Sequence, residues 1–174
     1  YASTSALKLN GGTIKKTIWV EGQGFINKKA TLTLPNVGGS RSLAGSSALV
    51  IDGIVPTINS VTSSTSDGSY KVGDSISISV TFSESVDVVT TDGTPTLELE
   101  TGTTNRSATY WYGSGSSSLI FRYTVQAGDN ATDLDYASTS ALKLNGGTIK
   151  KTIWVEGQGF INKKATLTLP NVGG

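Results

Sequence analysis

Hydrophobic and polar residues alternate along most of this chain. Over residues 75–83, Ile76, Ile78, Val80 and Phe82 take every second position, with Ser or Thr between them. Successive side chains of an extended strand point to opposite faces, so this spacing predicts a strand with one buried face. Residues 118–126 read the same way, with Leu119, Phe121, Tyr123 and Val125 inward and Ile120, Arg122 and Thr124 outward. Over 96–100, Leu97 and Leu99 oppose Glu98 and Glu100. Over 106–112, Ala108, Tyr110 and Tyr112 oppose Thr109 and Trp111. Residues 165–169 set Ala165, Leu167 and Leu169 inward. The unbroken apolar run Ala48-Leu-Val-Ile51 suits a more deeply buried strand. Asp67-Gly68, Asp92-Gly93, Gly113-Ser-Gly115 and Asn145-Gly-Gly147 punctuate these runs as turns. No segment keeps a helical period. Short strands with frequent turns predict an all-β fold, an antiparallel β-sandwich.

The alternation is written twice. Residues 1–39 recur without a change as residues 136–174, an offset of 135. A repeat of that length is far beyond the roughly 20–50 residues of solenoid units. It is long enough for a domain with its own core. The expected arrangement is a tandem array of domains with a period of 135. Asp52-Gly-Ile-Val-Pro56 reads as the linker, because Pro56 forces an extended entry into the next strand. The division is therefore expected at 1–53, the C-terminal part of one repeat, and 54–174, the next repeat. Framed this way, the second repeat lacks a counterpart of residues 40–53. The run Ala48 to Ile51 is then expected to be the last strand of a repeat and missing from the second one.

Composition narrows the function. The chain has no Cys, Met or His, a net charge of +1, and only 16% charged residues. No disulfide framework or thiol chemistry is possible. The commonest general base and transition-metal ligand is missing. A balanced charge gives no field to steer nucleic acid. No apolar stretch nears the ~20 residues of a membrane span. Abundant Ser, Thr and Gly suggest an extracellular, protease-exposed protein. Catalysis is not expected: no His is present to activate a Ser, no nucleophile-elbow motif appears, and serial identical copies suit a fibre better than an enzyme.

Several motifs together carry a resemblance. They are Gly73-Asp-Ser-Ile-Ser-Ile-Ser-Val-Thr-Phe-Ser-Glu84, Thr94-Pro-Thr-Leu-Glu-Leu-Glu-Thr-Gly102 and Tyr123-Thr-Val-Gln-Ala-Gly-Asp129. Asn145-Gly-Gly-Thr-Ile149, Ala165-Thr-Leu-Thr-Leu-Pro170 and Ala48-Leu-Val-Ile-Asp52 complete the set. In this order the chain resembles the Ig-like repeats of very large bacterial surface proteins and adhesins. That resemblance implies antiparallel Ig-like β-sandwich repeats at the cell surface, used as stalk or spacer. One segment departs from it. Where the family has a short acidic turn, residues 150–164 are longer, basic and aromatic, with Ile153 and Val155 alternating against Thr152, Trp154 and Glu156. This reads as an added β-hairpin turning at Gly157-Gln-Gly159, with an identical copy at 15–29.

Trp154 and Phe160, with Trp19 and Phe25 in the first copy, are the candidate contacts to a neighbouring repeat or an identical chain, together with linker residues Ile54, Val55 and Pro56. Exposed aromatics mark interaction surfaces; the other reading is that these rings cover their own core. An adhesin module that binds a surface glycan through Trp111, Trp154 and tyrosines is the rival function. Asp129, Asp133 and Asp135, with Glu84 and Asp52, offer carboxylates of the kind calcium takes. The family resemblance implies calcium near domain junctions, against the alternative of a solvated acidic loop. Asn105-Arg-Ser107 and Asn130-Ala-Thr132 are N-glycosylation triplets.

Overall fold

The computed structural model describes residues 1–49 and 51–172. The chain divides into two compact units, Tyr1–Gly53 and Ile54–Gly174.

In the second unit the period-two segments become strands. They are β3 (Ile58–Ser63), β4 (Ser75–Val89), β5 (Thr96–Glu100), β6 (Arg106–Tyr112), β7 (Ser116–Thr124), β8 (Asp135–Tyr136), β9 (Leu142–Lys143), β10 (Thr148–Val155) and β11 (Gly159–Lys164). Every ladder is antiparallel. The order runs β11-β10-β4-β7-β6-β5-β8, with β3 also on β4 and β9 also on β5. Strand β4, fifteen residues long, joins the parts. Its first half lies between β3 and β7, and residues 87–89 pair with β10. A register shift between Thr81 and Val86 separates the two halves. The fold is all-β and antiparallel.

The core is the set the alternation points to. Ile78, Val80 and Phe82 of β4, Leu97 and Leu99 of β5, Ala108 of β6, and Leu119, Phe121 and Tyr123 of β7 are buried. Tyr136, Leu142, Ile149 and Leu169 join them from the repeated segment. Tyr112 does not. The pairing of β6 with β7 slips between Tyr110 and Tyr112, so the extra residue re-aims the strand end and leaves Tyr112 exposed. Residues 165–169 alternate in burial as expected, with Leu169 buried, yet they join no ladder. They are tied instead by single bonds, Thr166 N–H to the Pro56 carbonyl (2.8 Å) and Leu169 N–H to the Thr139 carbonyl (2.8 Å).

The first unit holds the same repeated segment with different neighbours. Hairpin β1 (Lys15–Val20) and β2 (Gly24–Lys29) pairs Lys15 with Lys29 through Val20 with Gly24, as β10 and β11 pair Lys150 with Lys164 through Val155 with Gly159. Tyr1 hydroxyl donates to the Pro35 carbonyl, as Tyr136 hydroxyl does to Pro170. The local scaffold is thus intrinsic to the 39 residues. The core is not. Leu142 is 4% exposed and Ile149 2%, while their copies Leu7 and Ile14 are 41% and 47% exposed.

The expected strand at 48–51 is corrected. Ala48, Leu49 and Ile51 lie in no strand, and Leu49 and Ile51 are 70% and 97% exposed; Val50 lies outside the described residues. A strand needs a ladder partner, and among the described residues none is paired to this run. Just before it, residues Leu43–Ser46 form a one-turn helix, α1. Ser42 caps it by accepting the Gly45 N–H at 3.1 Å, a local bond that competes with extended structure.

Candidate interaction surface

The hairpin β10–β11 has two unlike faces because its strands alternate. Ile153, Val155 and Ile161 are half-buried, while Thr152, Trp154, Phe160 and Asn162 stand in solvent. The three-residue connection works because Gly157 and Gly159 both sit at φ +78, where a side chain is strained. Trp154 faces Phe160 across the strands. Their ring centroids are 4.9 Å apart at 70°, the edge-to-face arrangement that ring quadrupoles favour. Next along, Thr152 hydroxyl donates to Asn162 Oδ1 at 3.2 Å. The first unit builds the same surface, with Trp19 and Phe25 at 5.1 Å and 69°.

The four aromatic rings are between 65% and 75% exposed. They therefore do not cover their own core. Lysines frame them: Lys150 opposes Lys164, and Lys151 opposes Lys163. Like charges directly across a ladder repel. Lys151 Nζ meets Glu84 Oε2 at 2.7 Å, with both side chains largely enclosed, which relieves one pair and pins the hairpin base to β4. Because the rings rest mainly on each other, replacing both Trp154 and Phe160 by Ser is expected to lower unit stability by no more than about 1 kcal/mol. Urea denaturation of the variant checks this.

A second exposed aromatic patch lies on β6. Trp111 and Tyr112 are 56% and 55% exposed, edge to face at 5.0 Å. Arg122 of β7 places its guanidinium 4.9 Å over the Trp111 ring. Alternation already turns Trp111 and Arg122 outward, and the bulge adds Tyr112 to the patch.

The acidic candidates are dispersed among other roles. Asp129 accepts from Arg106 Nε at 2.9 Å, from the Gln126 N–H at 2.7 Å and from the Tyr123 hydroxyl. Glu84 is held by Lys151. Asp135 accepts the Tyr136 N–H at 2.8 Å. Asp133 is exposed in the loop before β8, and Asp52 belongs to the first unit. Among the described residues no three acidic, His or Cys side chains gather as a metal would need. Calcium demands about six to eight oxygens, and within the second unit Arg106 and Lys151 already engage Asp129 and Glu84. Asn105 and Asn130 are both exposed in loops, and Asn130 N–H donates to the Thr101 carbonyl at 2.8 Å. Among the described residues no helix is long and apolar enough to cross a membrane.

The Asp129 cluster locks the turn after β7 to β6. Hydrogen bonds from Tyr123 first, then Arg106, hold the Asp129 carboxyl below its ordinary 3.8. Burial first, then the Asp129 bond, pushes the Tyr123 phenol up to about 12. A depressed carboxyl stabilises the fold above its ordinary value and loses that contribution as pH falls through the folded value. Stability is therefore expected to fall below about pH 4. Asp129→Asn is expected to flatten this acid limb and to be less stable at neutral pH; thermal unfolding across pH 2–7 reads both. A raised phenol acts at the other end, with stability lost as pH climbs from 10 toward about 12.

Comparison with protein-family models, with curated proteins and with solved structures gave no match.

Proposed function

We propose that this chain is a structural repeat unit of an extracellular surface stalk or filament, stacking identical Ig-like domains through short linkers and an aromatic hairpin. The observation that carries this reading is the duplicated hairpin. Two unchanged copies of one sequence present the same exposed Trp–Phe pair with the same geometry. Identical units make identical junctions, and a fixed rotation and rise per junction generates an extended or helical array.

Magnitudes favour tethered stacking. A Trp and a Phe each bury roughly 150–250 Å². At about 25 cal/mol per Å², and with two-thirds of the rings still exposed, one hairpin contact stabilises by roughly 5–8 kcal/mol before association costs. Free association costs an estimated 4–15 kcal/mol. Separate units would join weakly, whereas units linked in one chain avoid most of that cost. Arg106 and Lys151 engage Asp129 and Glu84, so the stacking proposed here does not call on these two carboxylates for calcium.

The rival reading is an adhesin module that binds glycan, and the second patch of Trp111, Tyr112 and Arg122 favours it. The two are separated by one pair of variants. Trp154→Ser with Phe160→Ser is expected to reduce self-association in sedimentation velocity and leave glycan-array binding at background. Glycan binding that vanishes with Trp111→Ser, in a chain that never self-associates, would replace the stalk by the adhesin.

A further inference from the structure

The exposed face of the hairpin is a strip of three rows. Trp154 stands opposite Phe160, Thr152 opposite Asn162, and Lys150 opposite Lys164. Rows on one face of a strand are two residues apart, about 6.7 Å, so the strip passes from rings to ammonium groups over about 13 Å. The outer face of β5 and β6 carries the same order with the opposite charge at its end. Its first row is Trp111, with Tyr112 beside it. The second row pairs Thr109 with Thr96, and the third pairs Ser107 with Glu98. Glu100 follows, opposite Asp135 of β8. Lys143 and Arg122 border the second row from β9 and β7. Arg122 is drawn over Trp111 and donates to Ser75 Oγ at 3.2 Å.

Both charged ends set like charges directly across a ladder, Lys150 against Lys164 and Glu100 against Asp135, which is unfavourable within the unit. Lys150 also faces Asp87 of β4, while Lys164 is exposed. A partner surface of opposite sign relieves both rows. Both surfaces are open in the repeat's own surroundings. The rings of the first hairpin are followed by residues 40–53, those of the second are preceded by residues 54–135, and all four are 65% to 75% exposed. Trp111, Tyr112, Thr109, Ser107 and Glu100 are exposed as well. Pro170 and Asn171, toward the end of the copied segment, accept the Tyr136 hydroxyl. Tyr136 pairs with Leu99 on the buried side of the sheet, away from Glu98 and Glu100.

We infer that the aromatic face of one hairpin docks onto the β5–β6 face of a second copy, its rings on Trp111 and Tyr112 and its lysines on Glu98 and Glu100. Facing sheets pack about 10 Å apart, a gap filled by ring on ring at one end and by long lysine side chains reaching carboxylates at the other. Donor and acceptor are different surfaces, so the contact is heterologous and extends from copy to copy. The inference rests on the proposed stacking through the hairpin and names the surface that receives it.

The test uses two variants of the full chain in sedimentation equilibrium. One carries Glu98→Lys and Glu100→Lys, which reverses the acceptor and leaves both hairpins. The other carries Trp19→Ser, Phe25→Ser, Trp154→Ser and Phe160→Ser, which removes the donor rings and leaves the acceptor. Wild type is expected to associate as concentration rises. That association is expected to weaken as salt goes from about 0.1 to 1 M, which shortens the screening length from about 10 to 3 Å. Each variant alone is expected to associate at least about tenfold more weakly than wild type. Their mixture is expected to associate again and then stop, with at most two four-Ser chains on each Glu98→Lys, Glu100→Lys chain, one per hairpin. Such complexes also show that the reversed chain is folded. Association of the Glu98→Lys, Glu100→Lys chain at wild-type strength would overturn the inference and leave hairpin stacking standing. Undiminished association of the four-Ser chain would overturn the stacking reading and the inference together. A wild type that stays monomeric at millimolar concentration, association that strengthens with salt, or a mixture that stays dissociated would each overturn the inference.

Discussion

Replacing Ile149 by alanine is expected to destabilise the second unit by about 2–5 kcal/mol, whereas the same change at its copy, Ile14, leaves that unit's stability unchanged. The two isoleucines sit in identical stretches of sequence and differ only in surroundings. Ile149 is 2% exposed, inside the cluster built by Val80, Phe82, Leu97 and Phe121, and truncating it leaves a cavity. Ile14 is 47% exposed and already lacks most of those contacts. Ile149 lies in β10 and pairs with Val88, while Ile14 precedes β1, so the comparison reads the strand pairing and core contacts that only the second unit supplies. Hydrogen exchange of the β4 and β7 amides reads the stability of the second unit alone. Equal effects at both sites would show that the 39-residue segment, and not residues 54–135, supplies the core.

Gly146→Ala is expected to cost about 3 kcal/mol or more in the second unit, with Gly11→Ala again as its control. Gly146 sits at φ +95, and an added Cβ would lie 2.4 Å from the Asp92 carbonyl oxygen. The neighbouring turn is as close: a Cβ on Gly93 would lie 1.7 Å from the Asn145 carbonyl oxygen. The turns at 92–93 and 145–147 thus interlock backbone against backbone, and Asn145 Nδ2 adds bonds to the Thr94 carbonyl (3.0 Å) and Thr96 hydroxyl (2.9 Å). Gly11 has a similar φ of +88 and nothing within 4 Å. Left-handed strain of about 1–2 kcal/mol applies to both sites, so the remainder measured at Gly146 is the steric contact. Hydrogen exchange at β9 and β10 separates the two effects. A Gly146→Ala variant as stable as wild type would mean the turns can move apart without loss.

These cases mark where the sequence is legible. Residues 75–83 of β4 and most of β7 could be read residue by residue, since Ile78, Val80, Phe82, Leu119 and Phe121 keep period two and all are buried, whereas the continuation of β4 to Val89 was not marked. The hairpin was legible because its glycines bracket Gln158 and its apolar positions alternate on both sides. Legibility stops where one residue changes the phase. The bulge at β6 turns Tyr112 outward, and no composition signal marks it. It stops again where a partner is required, as at Leu49 and Ile51, whose pattern is a strand's but whose ladder is missing. Long-range polar sites are hidden too. Asp129 looked like a loop carboxylate open to a cation, yet Arg106, 23 residues away, takes it. Exposure of Trp154 and Phe160 was one of two readings, and only three-dimensional packing chose between them.

The most direct test of the central claim is electron microscopy of the assembled protein, with and without a calcium chelator, beside the Trp154→Ser, Phe160→Ser chain. Straight filaments with a regular axial repeat are expected for wild type in both buffers, and their loss is expected in the variant. Flexible, irregular strings or lone domains from wild type would contradict the stacking of identical units through the aromatic hairpin.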